Sequence, residues 1–364
     1  MIINHKPANV KIFLKQADVQ RRPAKVRLFI DYQRTMRYSK FFLSLFILFC
    51  GFLGASAQTD DVIKVDSSIV RLNVGVVDGR GRPQTSLNKD NFAVYEDGVK
   101  QSISRFEPTV APFSVVMLLD MSGSTKSFRD NIRFSALRFL DALTPNDRVA
   151  VIEFYGKVNL LNDFTTDRRK VAHSISAANG AGETQLYKAL KLSLEKLSKE
   201  GTRRKAIVVL TDGIDTEMRN DDRGILEKFA EPQILTAIKP ETNETLNRIL
   251  NQSDAQGVTI YPLALPTGDP SKLADPTPRQ IAMFQTARSR LQILAQRTGG
   301  TLNTINRLEE MSRLYAEVAA DLRTLYTIEY QSSNDKRDGK WREIKIETTD
   351  AELISRTRQG YFAK

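Results

Sequence analysis

An uncharged apolar run that ends in a cluster of oxygen-bearing side chains is the feature that most constrains this chain. Residues 113–119 read Phe-Ser-Val-Val-Met-Leu-Leu, and Asp120, Ser122 and Ser124 follow directly. An apolar run without alternation is typical of a strand buried on both faces of a parallel sheet. Apolar residues then recur at helical spacing as far as Leu143. The stretch therefore predicts a strand, a polar loop at the carboxyl edge of a sheet, and a helix.

Strand and helix patterns continue to alternate as far as residue 325. Further strands are predicted at 148–155, 160–164 (an edge strand), 205–210, 258–265 and 300–305. Helices are predicted from Asp167, after the glycine loop 180–184, and at 289–297 and 311–325. This alternation predicts a doubly wound α/β domain over 112–325, with a mainly parallel sheet and right-handed crossovers. Two stretches, 216–256 and 266–288, do not fit the repeat, and we interpret them as insertions near the rim of the sheet.

The segments on either side of this domain have β character. In the first, 66–107, apolar residues alternate from Val70 to Val76, and Asp97-Gly98 indicates a hairpin. The second, 326–362, alternates again and has a turn at Asp338-Gly339. Each segment is too short to bury a core alone. We therefore expect the two to pack together as one small all-β sandwich, with the α/β domain inserted between them.

The beginning of the chain has the pattern of an export signal. Residues 36–57 contain a short basic region, an apolar stretch and Ala-Ser-Ala, which predicts a secretory signal peptide cleaved before Gln58. An uncleaved N-terminal anchor is the alternative, although the apolar stretch is shorter than the roughly 20 residues of a membrane span. Residues 1–35 fit neither interpretation and are explained best as an upstream extension that is not translated, with initiation at Met36. Signal cleavage would leave no stable membrane span.

Charge and cysteine content exclude several classes of function. Ten basic and two acidic residues lie in 1–57, so this region holds +8 of the net charge of +11. Without it no strong basic field remains, and we expect no nucleic-acid partner. The single cysteine, Cys50, would leave with the signal, so the mature chain has no disulfide, thiolate nucleophile or cysteine-bound metal. The remaining histidine, His173, is predicted to lie on a helix surface.

Five oxygen-bearing residues follow predicted strands or the glycine loop and form the candidate site. They are Asp120, Ser122, Ser124, Thr184 and Asp212. None offers nitrogen or sulfur, so the set suits Mg²⁺, Mn²⁺ or Ca²⁺ rather than zinc or copper. Two carboxylates and three hydroxyls do not saturate the charge of a divalent ion. Such an ion keeps an affinity for an anionic oxygen from outside, such as an Asp or Glu of a partner.

These motifs resemble the metal-ion-dependent adhesion site of von Willebrand factor type A (VWFA) domains. The similar features are Asp-x-Ser-x-Ser, a threonine after a glycine-rich loop, and Thr-Asp-Gly after a later strand. The resemblance implies direct coordination by Ser122, Ser124 and Thr184, with Asp120 and Asp212 acting closely or through water, and with a partner carboxylate completing the shell.

Further motifs resemble a bacterial group of exported VWFA-related proteins. They are Phe92-x-Val-x-Glu-Asp-Gly98, Asp338-Gly-x-Trp-Arg342 and Arg356-x-Arg-x-Gly-Tyr361. Glu183 departs from the family pattern, because such domains often have a small residue there.

The sequence favours a binding module over an enzyme. We expect a periplasmic or secreted protein that uses the cation to bind a protein partner. One alternative is an envelope scaffold with a vestigial metal site, and another is a metal-dependent hydrolase, although no phosphate-binding loop or Gly-x-Ser-x-Gly motif is present. The residues also have simpler explanations, since Ser122, Ser124 and Thr184 could cap helices and Asp212 could serve a turn.

Overall fold

The computed structural model describes residues 69–231, 233–272 and 274–363, apart from the side chains of Lys272 and Leu308. The predicted upstream extension, the signal peptide and its cleavage point lie outside these ranges. Within them, no helix combines the length and the apolar character needed to cross a membrane.

The segment before the α/β domain forms four strands. They are β1 (Ile69–Val77), β2 (Phe92–Glu96), β3 (Val99–Gln101) and β4 (Ile103–Glu107). The alternating apolar residues of β1 face the core as expected. They are Val70, Leu72, Val74 and Val76, and all four are buried in one hydrophobic cluster. Asp97 and Gly98 both have positive φ angles at the hairpin between β2 and β3, which agrees with a tight turn of the mirror-image type.

The central domain alternates strands and helices. In chain order its elements are β5 (Phe113–Asp120), α1 (Arg129–Ala142), β6 (Arg148–Phe154), β7 (Val158–Thr165), α2 (Arg168–Ala177), α3 (Leu186–Leu197), β8 (Arg204–Thr211), α4 (Thr216–Leu226), α5 (Glu244–Gln256), β9 (Val258–Ala264), α6 (Pro278–Thr298), β10 (Asn303–Thr304) and α7 (Met311–Leu322). Short 3₁₀ turns connect several of them.

The central sheet has six strands in the order β10-β9-β8-β5-β6-β7. All neighbours are parallel except β7, which pairs with β6 antiparallel at one edge. Separate hydrophobic clusters cover the two faces of the sheet, because helices pack on both sides. Every residue of β5 and β8 is buried, as uncharged apolar runs predict for central parallel strands. The predicted fold class is confirmed.

The chain then returns to β structure. The last strands are β11 (Leu325–Gln331), β12 (Trp341–Thr348), β13 (Ile354–Arg356) and β14 (Gly360–Phe362). They join the first four strands in two four-stranded sheets, with the orders β13-β1-β11-β4 and β14-β12-β2-β3. Residues of both sheets share one hydrophobic cluster. Strands from both flanking segments therefore form the extra antiparallel sheets.

Two strand-like runs are each divided between the sheets. The run 99–106 becomes β3 and β4, which belong to different sheets, and the run 353–362 becomes β13 and β14, again in different sheets. A short break lets the chain cross from one layer of the sandwich to the other. Alternation of apolar residues indicates extended backbone but does not show at which residue the strand changes its partner.

The interpretation of 216–256 and 266–288 as insertions is wrong for the greater part of both stretches. Helix α5 is the crossover between β8 and β9, and its buried Leu246, Ile249 and Leu250 belong to one of the two main clusters. Helix α6 begins at Pro278 rather than Ser289, because Thr277 and Gln280 form a capping box and proline is favoured at the first helical position. Only the short turns around 227–243 and 266–277 lie outside the repeat.

A buried arginine connects the sandwich, the linker and the central sheet. Arg204, at the start of β8, is 1% exposed and donates to the carbonyls of Thr109 (2.8 Å), Ala111 (3.0 Å), Leu322 (2.8 Å) and Leu325 (2.6 Å). Burial lowers its pKa to about 10, so it stays charged at neutral pH. The chain thus enters the α/β domain before β5 and leaves it after α7 beside the same guanidinium group.

Candidate metal centre

The loops after β5 and β8 lie side by side at the carboxyl edge of the sheet. These strands are parallel neighbours, and Leu119 pairs with Leu210. Asp120 and Asp212 therefore leave adjacent strands at nearly the same level. The hydroxyl of Thr211 donates to Asp120 Oδ2 at 2.7 Å and so connects the two strand ends. Sheet topology alone brings two predicted site carboxylates together.

The first loop holds Asp120 in a fixed position. Its side chain is fully buried, and its Oδ1 accepts a hydrogen bond from the Ser122 amide at 3.0 Å. The hydroxyl of Thr125 donates to the Asp120 carbonyl at 2.8 Å, which closes the loop on itself. The Ser122 and Ser124 hydroxyl oxygens lie 3.2 Å apart. Three of the predicted residues are thus in one compact turn.

The glycine loop lies against this turn. The Gly123 amide donates to the Gly182 carbonyl at 2.9 Å. Thr184, two residues further on, is buried and forms two hydrogen bonds with Thr216, which follows the second aspartate loop. The Thr184 amide donates to the Thr216 hydroxyl at 3.0 Å, and the Thr184 carbonyl accepts from the Thr216 amide at 2.9 Å. Thr184 therefore belongs to a loop that contacts both aspartate loops.

The electrostatics of the site are those of two acidic groups removed from water. Burial, and then the neighbouring charge of Asp212, raise the pKa of Asp120 to about 7. Burial also raises the pKa of Asp212, while the Ser124 hydroxyl, the Ile214 amide, Arg288 and Arg219 act in the opposite direction. Among the described residues, neither aspartate forms an ion pair with a basic side chain. Within the described ranges, these two buried carboxylates repel each other, and only the more distant charges of Arg288 and Arg219 act against that repulsion.

The chemistry of these residues fits a hard divalent cation. The described part of the chain has no group of three or more His, Cys, Asp or Glu residues placed to hold a metal. The candidate donors are two carboxylates and the neighbouring hydroxyls. Oxygen-only sets of this kind suit Mg²⁺, Mn²⁺ or Ca²⁺. A cation between the loops would supply the positive charge that Asp120 and Asp212 lack.

The simpler explanations account for little of the arrangement. The residues at the N-cap positions of α1 and α3 are Phe128 and Gln185, so Ser122, Ser124 and Thr184 cap neither helix. Asp212 does accept from the Ile214 amide, as a turn residue would. The helix cap in this region is Asp215, whose Oδ1 accepts from the Glu217 and Met218 amides. Asp215, which is not among the predicted ligands, thus has a structural role.

Two features of the site were missed at the level of sequence. Thr211 is fully buried and orients Asp120, and its position directly before Asp212 on a strand parallel to β5 was a usable signal. Arg219 and Arg288 place positive charge near Asp212, but they come from α4 and α6, and nothing local in the sequence connects them to the site.

Comparison with known families decides the identity of the central domain. Residues 115–214 match the model of the von Willebrand factor type A domain, and this range contains all five candidate ligands. This stretch of the α/β domain is assigned to the VWFA family. A comparison with curated proteins found no match.

Several solved structures are similar to this one. An aerotolerance-related membrane protein from Bacteroides fragilis is 16% identical, with a TM-score of 0.39 over 58% of this chain and 98% of that chain. The vWF domain of the type V pili tip protein Mfa5 from Porphyromonas gingivalis is 15% identical, with a TM-score of 0.43 over 58% and 94%. A von Willebrand factor type A protein from Catenulispora acidiphila is 13% identical, with a TM-score of 0.44 over 74% and 71%.

Proposed function

We propose that the VWFA domain holds a divalent cation, Mg²⁺ or else Mn²⁺ or Ca²⁺, and through it binds a carboxylate of a protein partner. Asp120, Ser122, Ser124, Thr184 and Asp212 would hold the ion. The observation that carries the proposal is the burial of Asp120 and Asp212, which are 0% and 2% exposed, beside each other and without an ion pair among the described residues. Unpaired buried carboxylates are costly, and coordination of a cation removes that cost.

The residues of the site have two roles: some supply the oxygens that would hold the cation, and others orient those oxygens. Asp120 and Asp212 supply the two negative charges, and the hydroxyls of Ser122, Ser124 and Thr184 supply neutral oxygens. Thr211 and the Ser122 amide hold Asp120 in place. When bound, the cation offers an electrophilic position to an anionic oxygen from outside. Because only two charges come from the protein, an Asp or Glu of the partner is a suitable third.

We further propose that the protein is exported and is not an enzyme. The signal-peptide pattern of residues 36–57 supports a mature chain that begins at Gln58 in the periplasm or outside the cell. His173, the only histidine of that mature chain, is exposed on α2, and the mature chain has no cysteine. The side chains of the site are carboxylates and hydroxyls, the donors that a hard divalent ion prefers.

Partner capture with and without free divalent cation tests this function. The immobilised protein is incubated with an envelope extract in Mg²⁺ and in EDTA, beside Asp120→Ala and Thr184→Ala. Exposed Asp90→Ala and Thr166→Ala are matched controls, because Asp90 lies in the turn before β2 and Thr166 follows β7 at the opposite edge of the sheet. We expect capture that requires Mg²⁺, is lost in both site variants and persists in both controls.

Two results would contradict the proposal. Equal capture in EDTA, or by Asp120→Ala and Thr184→Ala, would favour the scaffold alternative. Turnover of a phosphate or ester substrate in Mg²⁺ that Asp120→Asn abolishes would favour the hydrolase.

A further inference from the structure

A groove between α4 and α6 begins directly beside the second aspartate loop. A cavity of about 290 Å³ lies there. Gly213 and Ile214, which follow Asp212, form one end of it, and Met218 and Arg223 of α4 face Met283 of α6 further along. At 1.5 Å per residue, α4 from Asp215 to Arg223 covers about 12 Å. The groove therefore leads away from the proposed cation for about the length of a short peptide segment.

The acidic side chains of the groove are already in use. Asp222 and Arg290 form a two-bonded ion pair with both distances at 2.6 Å, and each side chain is only 4% exposed. Asp215 caps α4 and also accepts from the Tyr187 amide. The Asp222–Arg290 pair is neutral overall, and Asp215 is occupied by backbone amides, so neither carboxylate is available to a positively charged ligand.

The rim of the groove is positively charged. Arg219 and Arg223 lie one helical turn apart on α4, both are exposed, and both line the cavity. Neither forms an ion pair with any residue in the described ranges. Their neighbour Glu217 is paired with Lys188 of α3 instead. Two arginines of this kind can hold a carboxylate in a forked arrangement.

Between floor and rim the walls are largely apolar. Met218 of α4 is buried, and Met283 and Phe284 of α6 are half-buried, all three facing the cavity. Methionine adapts its shape to different side chains. A wall of this kind accepts a nonpolar side chain while the rim arginines remain in contact with solvent or with an anion.

We propose that this groove binds the partner segment next to the cation-bound acidic residue, with a nonpolar side chain in the cavity and a second carboxylate on Arg219 and Arg223. The inference rests on the proposed function, because the cation fixes the first carboxylate. An extended segment advances about 3.3 Å per residue, so the second acidic residue belongs about four positions from the first. The partner determinant is an acidic motif with a central apolar residue.

Synthetic peptides test this directly on the mature protein. One labelled probe carries a single Glu in a Gly/Ser background, a second carries Glu and a further Glu four positions on, and a third adds a Leu midway between them. Fluorescence anisotropy in Mg²⁺ is expected to show about tenfold tighter binding for the second probe than for the first, and tighter binding again for the third.

Arg219→Gln with Arg223→Gln should remove the gain from the second Glu, so that the first and second probes bind this variant with equal affinity. Arg169→Gln with Lys170→Gln is the matched control. Both are exposed on α2, which begins at the opposite edge of the sheet, and neither forms an ion pair within the described residues. This pair of changes removes the same charge and should leave all three affinities unaltered.

The outcomes separate the two proposals. Mg²⁺-dependent binding of all probes with equal affinity would overturn the groove and leave the metal function standing. Arginine-dependent gain that persists in EDTA would support the groove and contradict the cation as the first anchor. Absence of binding by every probe at millimolar concentration would overturn both.

Discussion

Asp120 shows how a single residue can be costly for folding and still be suited to binding. Its carboxylate is fully buried, accepts from Thr211 and the Ser122 amide, and lies beside the second buried acid, Asp212. Hydrogen bonds to neutral donors contribute about 1 kcal/mol each, which does not offset the removal of two like charges from water. The site is therefore less favourable without a cation than with one.

The change Asp120→Asn separates charge from shape. The amide keeps the volume and one acceptor oxygen, loses about 1 kcal/mol of hydrogen bonding, and removes the repulsion with Asp212. We expect the unfolding free energy in EDTA at neutral pH to rise above that of wild type, because the amide carries no buried charge, while the increase in Tm produced by Mg²⁺ disappears. Thermal unfolding with and without Mg²⁺ measures both quantities. A variant that Mg²⁺ still stabilises as strongly as wild type would show that Asp120 does not hold the ion.

At this scale the sequence was most informative where a residue terminates a buried strand. Asp120 and Asp212 could be placed at one edge because apolar runs mark β5 and β8, and parallel strands share an edge. The position of Thr211 directly before Asp212 indicates that it lies at the same edge, but its hydrogen bond to Asp120 depends on the register of two strands far apart in sequence. Arg219 and Arg223 appeared only as charges on a helix.

Among the elements, the glycine loop 180–184 approaches its neighbours closely. A Cβ on Gly180 would lie 2.4 Å from the Tyr155 ring and 2.8 Å from the Met121 carbonyl, in the loop that follows β5. A side chain there has to displace one loop or the other. The contact between Gly123 and Gly182 that aligns the two loops depends on this approach.

Gly180→Ala should consequently weaken Mg²⁺ binding, although Gly180 is not one of the proposed metal ligands. We expect a loss of stability of about 1–3 kcal/mol from the overlap and a clear fall in Mg²⁺ affinity, measured by calorimetry. Gly224→Ala is the control, since that glycine is exposed on α4 and a Cβ there would meet no atom within 4 Å. It should stabilise the helix by about 0.5–1 kcal/mol and leave the affinity unchanged. Equal affinities for all three proteins would mean that the glycine loop does not shape the site.

The sequence predicts the fold class more completely than it predicts where individual helices and strands begin and end. The Thr277-Pro278-x-Gln280 pattern is a helix start that the sequence contained, and it was overlooked because proline was interpreted as a sign of an irregular insertion. The division of 99–107 and 354–362 between two sheets is different. It is decided by which strand each half contacts across the sandwich, and local alternation carries no such information.

At the scale of the molecule as described, arginines at the base of the central sheet connect the sandwich to the α/β domain. Arg204 contacts the linker before β5 and the ends of α7 and β11, and its guanidinium lies 3.9 Å from the centre of the Phe113 ring. On the other side, Arg358 donates to Asp254 Oδ1 at 2.9 Å and connects the C-terminal strands to α5. The sandwich is thus attached to the VWFA domain at buried polar contacts.

Arg204→Met removes the donors and keeps much of the apolar volume. Several main-chain carbonyls would lose a charged partner in a buried setting, and we expect the unfolding free energy to fall by about 3 kcal/mol or more. Arg204→Lys keeps the charge but not the forked donor geometry, so its unfolding free energy should lie between those of wild type and Arg204→Met. Denaturant unfolding followed by fluorescence checks this, and a loss below about 1 kcal/mol for Arg204→Met would show that the junction is held by other contacts.

The central claim is that oxygens from three separate loops hold one cation whose remaining coordination position faces the outside. An anomalous difference map from a crystal soaked in Mn²⁺ tests it most directly. We predict a single strong peak between Asp120, Ser122, Ser124, Thr184 and Asp212, within about 2.5 Å of at least three of their oxygens. A map without a peak there, or one in which another acidic side chain of the same protein fills the open position, would contradict the account.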